Sequence, residues 1–249
     1  MRSAKELARE LLKELMGRFG YEERRSTRDF DAATMKIIER VRPLTQTTPE
    51  RIFAFKNAVE YAINNDIAGD IVECGVWKGG SMMAAALTLL NLGVKRRLYL
   101  FDTFAGMTKP TAVDRDYEGT SGFELLKIGA LDDENIPLEE VRTNLRSTGY
   151  DENLITYIKG PVEETLPDKA PDTIAVLRLD TDWYESTRHE LEHLFPRVSS
   201  GGVVIIDDYG HYEGARKAVD EFIAATKLPL LLNRIDFTGR ICVKPLAPI

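Results

Sequence analysis

Hydrophobic residues recur along this chain with two different spacings, and the change between them falls near residue 65. In the first part, helical spacing is seen at Leu7, Leu11, Leu12 and Leu15. Residues 48–50, Thr-Pro-Glu, have the features of a helix start: a capping hydroxyl, a proline suited to the first turn and an acid at the positive end. The pattern predicts an N-terminal helical extension or lid over residues 1–65.

From residue 70 onward, short apolar runs alternate with helical segments. The predicted strands are Asp70–Cys74, Arg97–Phe101, Leu154–Lys159, Thr173–Leu179, Gly202–Ile206, Leu230–Leu232 and Arg240–Val243. The predicted helices between them span residues 81–92, 138–148, 185–195 and 213–226. Apolar strands separated by helices are typical of a mostly parallel sheet with helices on both faces. We therefore predict an α/β fold in which residues 66–249 form one structural domain together with the N-terminal helices.

One stretch, residues 104–137, interrupts this alternation. It contains threonine, proline, glycine and charged residues with weak periodicity. A long irregular segment after a strand end is often an active-site lid, although a plain surface excursion has the same pattern. The lid is therefore a hypothesis for this segment.

Length, composition and charge narrow the functional classes. The chain has 249 residues, 43% of them hydrophobic, which is enough for one substantial core. Acidic residues outnumber basic ones by 40 to 33, so a nucleic-acid partner is not expected. The sequence has no apolar run long enough to span a membrane and no signal-peptide pattern, which predicts a cytoplasmic protein without a membrane partner. Cys74 and Cys242 lie in apolar runs and are expected to be buried thiols.

A glycine-rich turn, residues 75–81 (GVWKGGS), follows the first predicted strand. In open α/β sheets ligands bind at the carboxyl ends of the strands. Gly75 allows a tight turn, and Gly79 is expected to permit close approach of the backbone to a ligand, with Ser81 at the helix start. The sequence therefore predicts a cofactor site here.

The spacing within this turn distinguishes between cofactors. A dinucleotide fingerprint has glycine at its first, third and sixth positions, and Trp77 occupies the third. That position is where the backbone must approach a pyrophosphate, so an NAD site is disfavoured. Glu73 would repel a phosphate and instead suits a cationic group, such as the amino end of an amino-acid-like cofactor.

The next two strand ends add further cofactor contacts. Asp102 ends the second predicted strand, where an acid can accept hydrogen bonds from ribose hydroxyls or simply cap a turn. Gly160 begins a turn after the third strand that would lie beside an adenine.

Four aspartates, Asp180, Asp182, Asp207 and Asp208, follow the fourth and fifth predicted strands. So many anions at one edge are unfavourable unless protons or a cation neutralise them, and an oxygen-only ligand set suits Mg²⁺, Ca²⁺ or Mn²⁺. The alternative is that some cap helices and the others face solvent.

A histidine pair nearby resembles a zinc motif. Residues 189–193 read His-Glu-Leu-Glu-His and match the H-E-x-x-H pattern of zinc proteases. The predicted helix also carries apolar residues for packing on the sheet, so His189 and His193 are expected to lie on its wetter side. We treat the match as a chance one.

Taken together, these motifs resemble the macrocin O-methyltransferase family, the sugar methyltransferases of macrolide and aminocoumarin biosynthesis. The matching segments are residues 45–51 (TQTTPER), 72–81 (VECGVWKGGS), 101–107 (FDTFAGM), 179–187 (LDTDWYEST) and 207–210 (DDYG). They are specific as a set, and none is sufficient alone. In the family the first segment usually begins Tyr-Thr-Met, whereas this chain has Leu44 and Gln46 at the tyrosine and methionine positions. Because that segment helps close the site, the difference bears on the acceptor.

The resemblance implies a Rossmann-like methyltransferase sheet, S-adenosylmethionine as cofactor and Mg²⁺ or another divalent cation. It implies Asp180, Asp207 and Asp208 as metal ligands, with Asp180 also the general base. The residues expected at the cofactor are Glu73, Gly75, Trp77, Gly79, Ser81, Asp102, Thr103, Phe104, Gly160, Val162, Glu163 and Asp180. Those expected at the acceptor are Asp182, Tyr184, Tyr209 and His211.

The expected function is methylation of a hydroxyl group on a sugar or a glycosylated natural product. A phenolic or other small hydroxylated acceptor is the alternative within the same fold. An NAD-dependent oxidoreductase, a non-catalytic cofactor-binding protein and a zinc hydrolase are the remote alternatives. The chain is expected to form a homo-oligomer, with the N-terminal helices as a lid or a dimer contact.

Overall fold

The computed structural model of the chain describes residues 27–129 and 135–245. Its helices are α1 (Ala32–Val41), α2 (Pro49–Asn64), α3 (Gly80–Leu92), α4 (Gly122–Lys127), α5 (Leu138–Arg146), α6 (Val162–Thr165), α7 (Tyr184–Leu194) and α8 (Glu213–Thr226). Its strands are β1 (Asp70–Cys74), β2 (Leu98–Asp102), β3 (Ile155–Lys159), β4 (Ile174–Leu179), β5 (Val198–Ile206), β6 (Asn233–Arg234) and β7 (Arg240–Val243). None of the helices in these ranges combines the length and the apolar character needed to cross a bilayer.

The seven strands form one sheet in the order β3-β2-β1-β4-β5-β7-β6. The first five are parallel, β7 runs antiparallel to β5, and β6 runs antiparallel to β7. The order reverses between β1 and β4, which is the topological switch point where ligands bind in sheets of this type. The mostly parallel Rossmann-like sheet predicted from the sequence is confirmed.

Each central strand buries both of its faces. Ile71 and Val176 belong to the hydrophobic cluster that contains α1, α2 and α3, whereas Val72 and Leu177 belong to the cluster that contains α7 and α8. Successive residues of a strand point to opposite faces, so apolar side chains at both parities require helices on both sides. Both cysteines are free and buried, as predicted.

The structure differs from the predicted strands at the C-terminal side of the sheet. Strand β5 begins at Val198 rather than Gly202, and the run Leu230–Leu232 forms no strand. Leu230 and Leu232 pack against the α7–α8 cluster, while Leu231 between them is exposed. Their apolar character therefore comes from side-chain packing, and the short strand β6 pairs with β7 just after them.

The part of the predicted N-terminal extension that the structure describes is integral to the core. Thr48 caps α2 by accepting a hydrogen bond from the Arg51 backbone, as its position in sequence predicts. Val41 of α1 and Phe55 of α2 are fully buried in the same cluster as the sheet. The predicted helix with Leu7, Leu11, Leu12 and Leu15 lies outside the described residues. A separate lid role for residues 1–65 and the boundary near residue 65 stay predictions.

Gly75, at the end of β1, has a conformation and a contact that explain its identity. Its φ is +80°, and a Cβ atom added there would lie 1.7 Å from the carbonyl oxygen of Asp180 at the end of β4. Gly149 has nearly the same φ of +79°, but a Cβ atom there would meet nothing within 4 Å. The two positions separate backbone strain from the contact between the strand ends.

We predict that Gly75→Ala destabilises the protein by at least about 3 kcal/mol, whereas Gly149→Ala costs only about 1–2 kcal/mol, the usual cost of a side chain at positive φ. Chemical denaturation of the two variants and the parent chain measures this difference. Equal losses at both positions would show that the contact with Asp180 contributes nothing.

Candidate active site

A cavity of about 360 Å³ opens at the carboxyl ends of the parallel strands. Its volume lies in the range of small-molecule sites, which run from roughly 300 to 1,000 Å³. Ten of the predicted cofactor residues line it: Gly75, Trp77, Ser81, Asp102, Thr103, Phe104, Gly160, Val162, Glu163 and Asp180. The structure therefore brings the turns after β1, β2 and β3 and the end of β4 around one space.

Asp102 joins the first two of these turns. Its Oδ2 accepts hydrogen bonds from the backbone N–H groups of Val76 at 2.6 Å and Trp77 at 3.2 Å, and its Oδ1 accepts one from Phe104 at 2.7 Å. Trp77 and Phe104 both have positive φ, 47° and 49°, which is unfavourable for residues with side chains. The carboxylate thus stabilises two strained turns, and it keeps one lone-pair position for a ribose hydroxyl.

Two of the predicted cofactor residues do not line the cavity. Glu73 is fully buried behind Ser81, whose hydroxyl donates to Glu73 Oε1 at 2.5 Å. Burial raises the pKa of Glu73 to about 7, and its Oε2 has no hydrogen-bond partner among the described residues. Gly79 faces protein, because a Cβ atom there would come within 2.8 Å of Leu145. Its need for glycine therefore follows from its positive φ of +87° and from helix packing, and not from the approach of a ligand.

The four predicted aspartates all line the cavity. Asp180, Asp207 and Asp208 each offer an oxygen within 4.8 Å of the others. Asp182 has a positive φ of 66°, and its backbone N–H donates to Asp208 Oδ2 at 3.1 Å. Burial, followed by the negative charge of Asp180, raises the pKa of Asp208 to about 7. Burial and Asp208 likewise raise the pKa of Asp182.

Sequence reasoning missed the cation at the centre of this group, Arg178 of β4. Its side chain is 1% exposed and its Nη1 donates to Glu73 and, at 2.7 Å, to Asp180. Its Nη2 donates to Asp207 Oδ1 at 2.5 Å and to the Thr47 hydroxyl at 2.9 Å. The available signal was a charged residue inside an otherwise apolar strand, which must find partners when buried.

A second missed cation, Arg51 of α2, also lines the cavity. Its Nη1 donates to Asp207 Oδ2, and its Nε donates to Asp236 at 3.0 Å. Asp207 is therefore held by an arginine at each of its oxygens.

The cluster of three carboxylates has the chemistry of a divalent-cation site. Asp180, Asp207 and Asp208 provide only oxygen donors, which Mg²⁺ and Mn²⁺ prefer. Burial and then the negative charge of Asp180 raise the pKa of Asp208, and a cation beside these carboxylates would favour its ionised form. Among the described residues this is the one group of three or more potential ligands that come together, and His189 and His193 are not part of it.

The predicted acceptor residues divide into two pairs. Asp182 and His211 line the cavity, and burial lowers the pKa of His211. The hydroxyls of Tyr184 and Tyr209 instead donate to Glu221 and Asp220 of α8 outside it. The geometry gives no support to an acceptor role for these two tyrosines. The cavity also has lining residues that sequence reasoning did not place there, among them Met107, Tyr212, Phe237 and Thr238.

The described part of residues 104–137 lies beside the predicted acceptor residues at the start of α7. The Trp183 indole donates to the Thr108 carbonyl at 3.0 Å, and buried Asp114 accepts a hydrogen bond from the Tyr184 backbone at 2.7 Å. The segment is thus attached to the start of α7. Its movement as a lid stays a prediction.

The two histidines of the zinc-like motif contact each other on α7. The rings of His189 and His193 lie 4.3 Å apart, and Glu190 between them is fully buried against the core. Burial raises the pKa of Glu190 well above its ordinary value.

Fold and cavity together define the class: an α/β enzyme that holds a small cofactor at the carboxyl edge of its sheet.

Comparison with known proteins gives the family. A sequence model of the macrocin-O-methyltransferase (TylF) family matches residues 5–244. Over 195 residues the chain is 35% identical to the 8-demethyl-8-(2,3-dimethoxy-alpha-L-rhamnosyl)-tetracenomycin-C 4'-O-methyltransferase of Streptomyces olivaceus. The matched region covers 76% of this chain and 71% of the relative. Over 191 residues it is 35% identical to the demethyldecarbamoylnovobiocin O-methyltransferase of Streptomyces niveus, with the same two coverages. The solved structure of the O-methyltransferase NovP is 33% identical, with a TM-score of 0.74 over 82% of this chain and 83% of NovP.

The chain belongs to the macrocin-O-methyltransferase family. It is an S-adenosylmethionine-dependent O-methyltransferase, as its family and its fold agree. The resemblance stated from the sequence is confirmed.

We predict that Arg178→Met destabilises the protein by about 3–5 kcal/mol, because it leaves buried carboxylates without their cation. Arg188→Met is the matched control, since Arg188 pairs with Glu185 and Glu192 on the exposed side of α7. The control should cost less than about 1 kcal/mol. Urea denaturation at neutral pH compares the two, and similar losses would contradict a central role for the buried arginine.

Proposed function

We propose that this enzyme methylates a hydroxyl group on a sugar of a small glycosylated natural product, with a divalent cation, Mg²⁺ in the first instance, held by Asp180, Asp207 and Asp208. The observation that carries the proposal is the shared cavity, in which the three carboxylates face the same space as the glycine turn. The two curated relatives named above support the acceptor class. One name specifies a rhamnosyl tetracenomycin and the other a novobiocin derivative.

The proposed cofactor position follows the lining residues. The methionine end would lie at Gly75 and Ser81, the ribose at Asp102, and the adenine beside Gly160, Val162 and Glu163. Glu73 would act from behind Ser81, since its carboxyl group favours a cationic ammonium through the hydroxyl it holds. S-adenosylmethionine supplies an activated methyl group on a sulfonium.

The proposed acceptor position is the other half of the cavity. Hydroxyl and amide side chains stand there with aromatic ones: Thr45, Gln46, Thr47, Thr108, Trp183, His211, Tyr212, Phe237 and Thr238. Polar groups that can pair with hydroxyls, next to apolar ring faces, suit a sugar attached to a larger apolar body. A phenolic acceptor is the second candidate.

The proposed chemistry assigns the proton to Asp180. A sugar hydroxyl keeps its proton at neutral pH, and a bound divalent cation would lower the pKa of a hydroxyl that it contacts. Asp180 accepts that proton, and Arg178 holds its carboxylate in place at 2.7 Å. The walls of the cavity would contribute by aligning the hydroxyl with the methyl group.

We predict that S-adenosylmethionine at about a hundred times its dissociation constant raises stability by about 2.7 kcal/mol, which is visible as a higher melting temperature. NAD should give no shift, because Trp77 occupies the position where a pyrophosphate needs glycine. Thermal unfolding with each ligand, with Mg²⁺ and with a chelator measures both parts. An additional Mg²⁺ effect should disappear in Asp207→Ala. A chain that responds to NAD but not to S-adenosylmethionine would contradict the cofactor assignment.

We predict that Asp180→Asn lowers turnover by at least about a hundredfold, the usual minimum for a lost general base, while cofactor affinity stays nearly unchanged. Asp172→Asn is the matched control, because the Asp172 side chain is fully exposed. Turnover with glycosylated acceptors and cofactor binding by calorimetry are measured on the same samples. Near wild-type turnover in Asp180→Asn would remove this residue from the base role.

Assembly and compartment stay predictions from the sequence. Light scattering of the full chain measures its molar mass in solution and so tests the expected homo-oligomer.

A further inference from the structure

Arg51 connects the proposed metal carboxylates to the acceptor side of the cavity. Its side chain is 9% exposed, and its guanidinium makes two ion pairs. Nη1 pairs with Asp207, and Nε pairs with Asp236 at 3.0 Å. The Thr48 hydroxyl, which caps α2, donates to the same Asp236 oxygen at 2.7 Å. A Cβ atom on Gly239 would come within 2.9 Å of Arg51 Cδ, so the turn between β6 and β7 packs directly on this side chain.

The two arginines at Asp207 differ in what else they contact. Arg178 also pairs with Glu73 and Asp180, so its charge is shared among the clustered carboxylates at the strand ends. Arg51 has its second partner, Asp236, outside the group. Without its contact to Asp207, Arg178 would still pair with the proposed metal ligand Asp180, whereas Arg51 would keep only Asp236, which is not a proposed ligand.

A divalent cation at Asp207 would bring positive charge to a carboxylate whose two oxygens already accept from arginines. Cations next to the same carboxylate repel each other, most strongly where water is largely excluded. Asp207 is 2% exposed, so this repulsion is only weakly screened.

We propose that Arg51 competes with the metal ion for Asp207: it neutralises the carboxylate when no metal is bound, and it transfers its interaction to Asp236 when the metal binds. The inference rests on the metal site of the proposed function. It adds that Arg51 weakens metal affinity. It also links metal binding to the turn at residues 236–239, which contributes Phe237 and Thr238 to the acceptor wall.

The test is calorimetric titration of the full-length chain with Mn²⁺, which prefers the same oxygen ligands as Mg²⁺. Arg51→Met keeps much of the side-chain length and removes the charge, and it should bind Mn²⁺ at least about tenfold more tightly than the parent chain. Lys56→Met is the matched control. Lys56 is a buried cation on the same helix that pairs with Glu60 and does not line the cavity. Its metal affinity should equal that of the parent.

A second variant changes the competition in the opposite direction. Asp236→Asn removes the alternative partner of Arg51, so Arg51 should hold Asp207 more strongly and Mn²⁺ should bind several-fold more weakly. Combined with Arg51→Met, the same Asp236→Asn change should lose most of its effect. A purely structural role of Arg51 would not produce opposite shifts in the two single variants together with a double variant that binds Mn²⁺ as Arg51→Met does. Thermal unfolding confirms that each variant is folded, and Asp236→Asn alone still tests the sign if Arg51→Met does not fold.

The outcomes separate this inference from the metal site on which it rests. Equal or weaker Mn²⁺ affinity in folded Arg51→Met, or tighter binding in Asp236→Asn, would overturn the competition while leaving the metal site in place. Absence of Mn²⁺ binding in the parent chain and in every variant would overturn the metal site itself, and the competition with it.

Discussion

The buried guanidinium of Arg178 is the interaction on which the rest of the site depends. It lies in the central strand β4 and contacts carboxylates from β1, from the end of β4 and from the end of β5: Glu73, Asp180 and Asp207. A buried charge without a partner is strongly destabilising, so the cation and the anions can be buried only together. The three neighbouring strands therefore have to meet in this register for the fold to form, and the same register brings Asp180 and Asp207 to one cavity.

The cofactor half of the cavity is built from backbone held in unfavourable conformations. Asp102 accepts hydrogen bonds from the turns after β1 and β2, in which Trp77 and Phe104 have positive φ. Gly75 lies so close to the Asp180 carbonyl that no side chain fits between β1 and β4. Strain of this kind persists only where surrounding contacts determine it, and here those contacts come from the groups that face the ligand. Binding geometry and fold stability thus share the same few residues.

The proposed acceptor half is connected to the proposed metal carboxylates through long-range contacts of the N-terminal part of the chain. Thr47 reaches Arg178, and Arg51 reaches both Asp207 and Asp236. The helix α2 is consequently part of the active-site wall as well as of the hydrophobic core. A change at residues 45–51, where this chain departs from the usual family sequence, acts next to both the proposed metal carboxylates and the proposed acceptor space.

The sequence by itself determined the alternating α/β order, most strand ends, the glycine turn and the aspartates at β4 and β5, because local spacing and turn chemistry fix these features. It also pointed to the family through five short segments. Only the tertiary structure decided that Gly79 serves packing, that Tyr184 and Tyr209 turn toward α8, and that Arg51 and Arg178 neutralise Asp207. These features depend on contacts between residues far apart in sequence, up to 156 positions for Arg51 and Asp207, and the direction of a side chain beyond a strand end is set by such contacts rather than by local pattern.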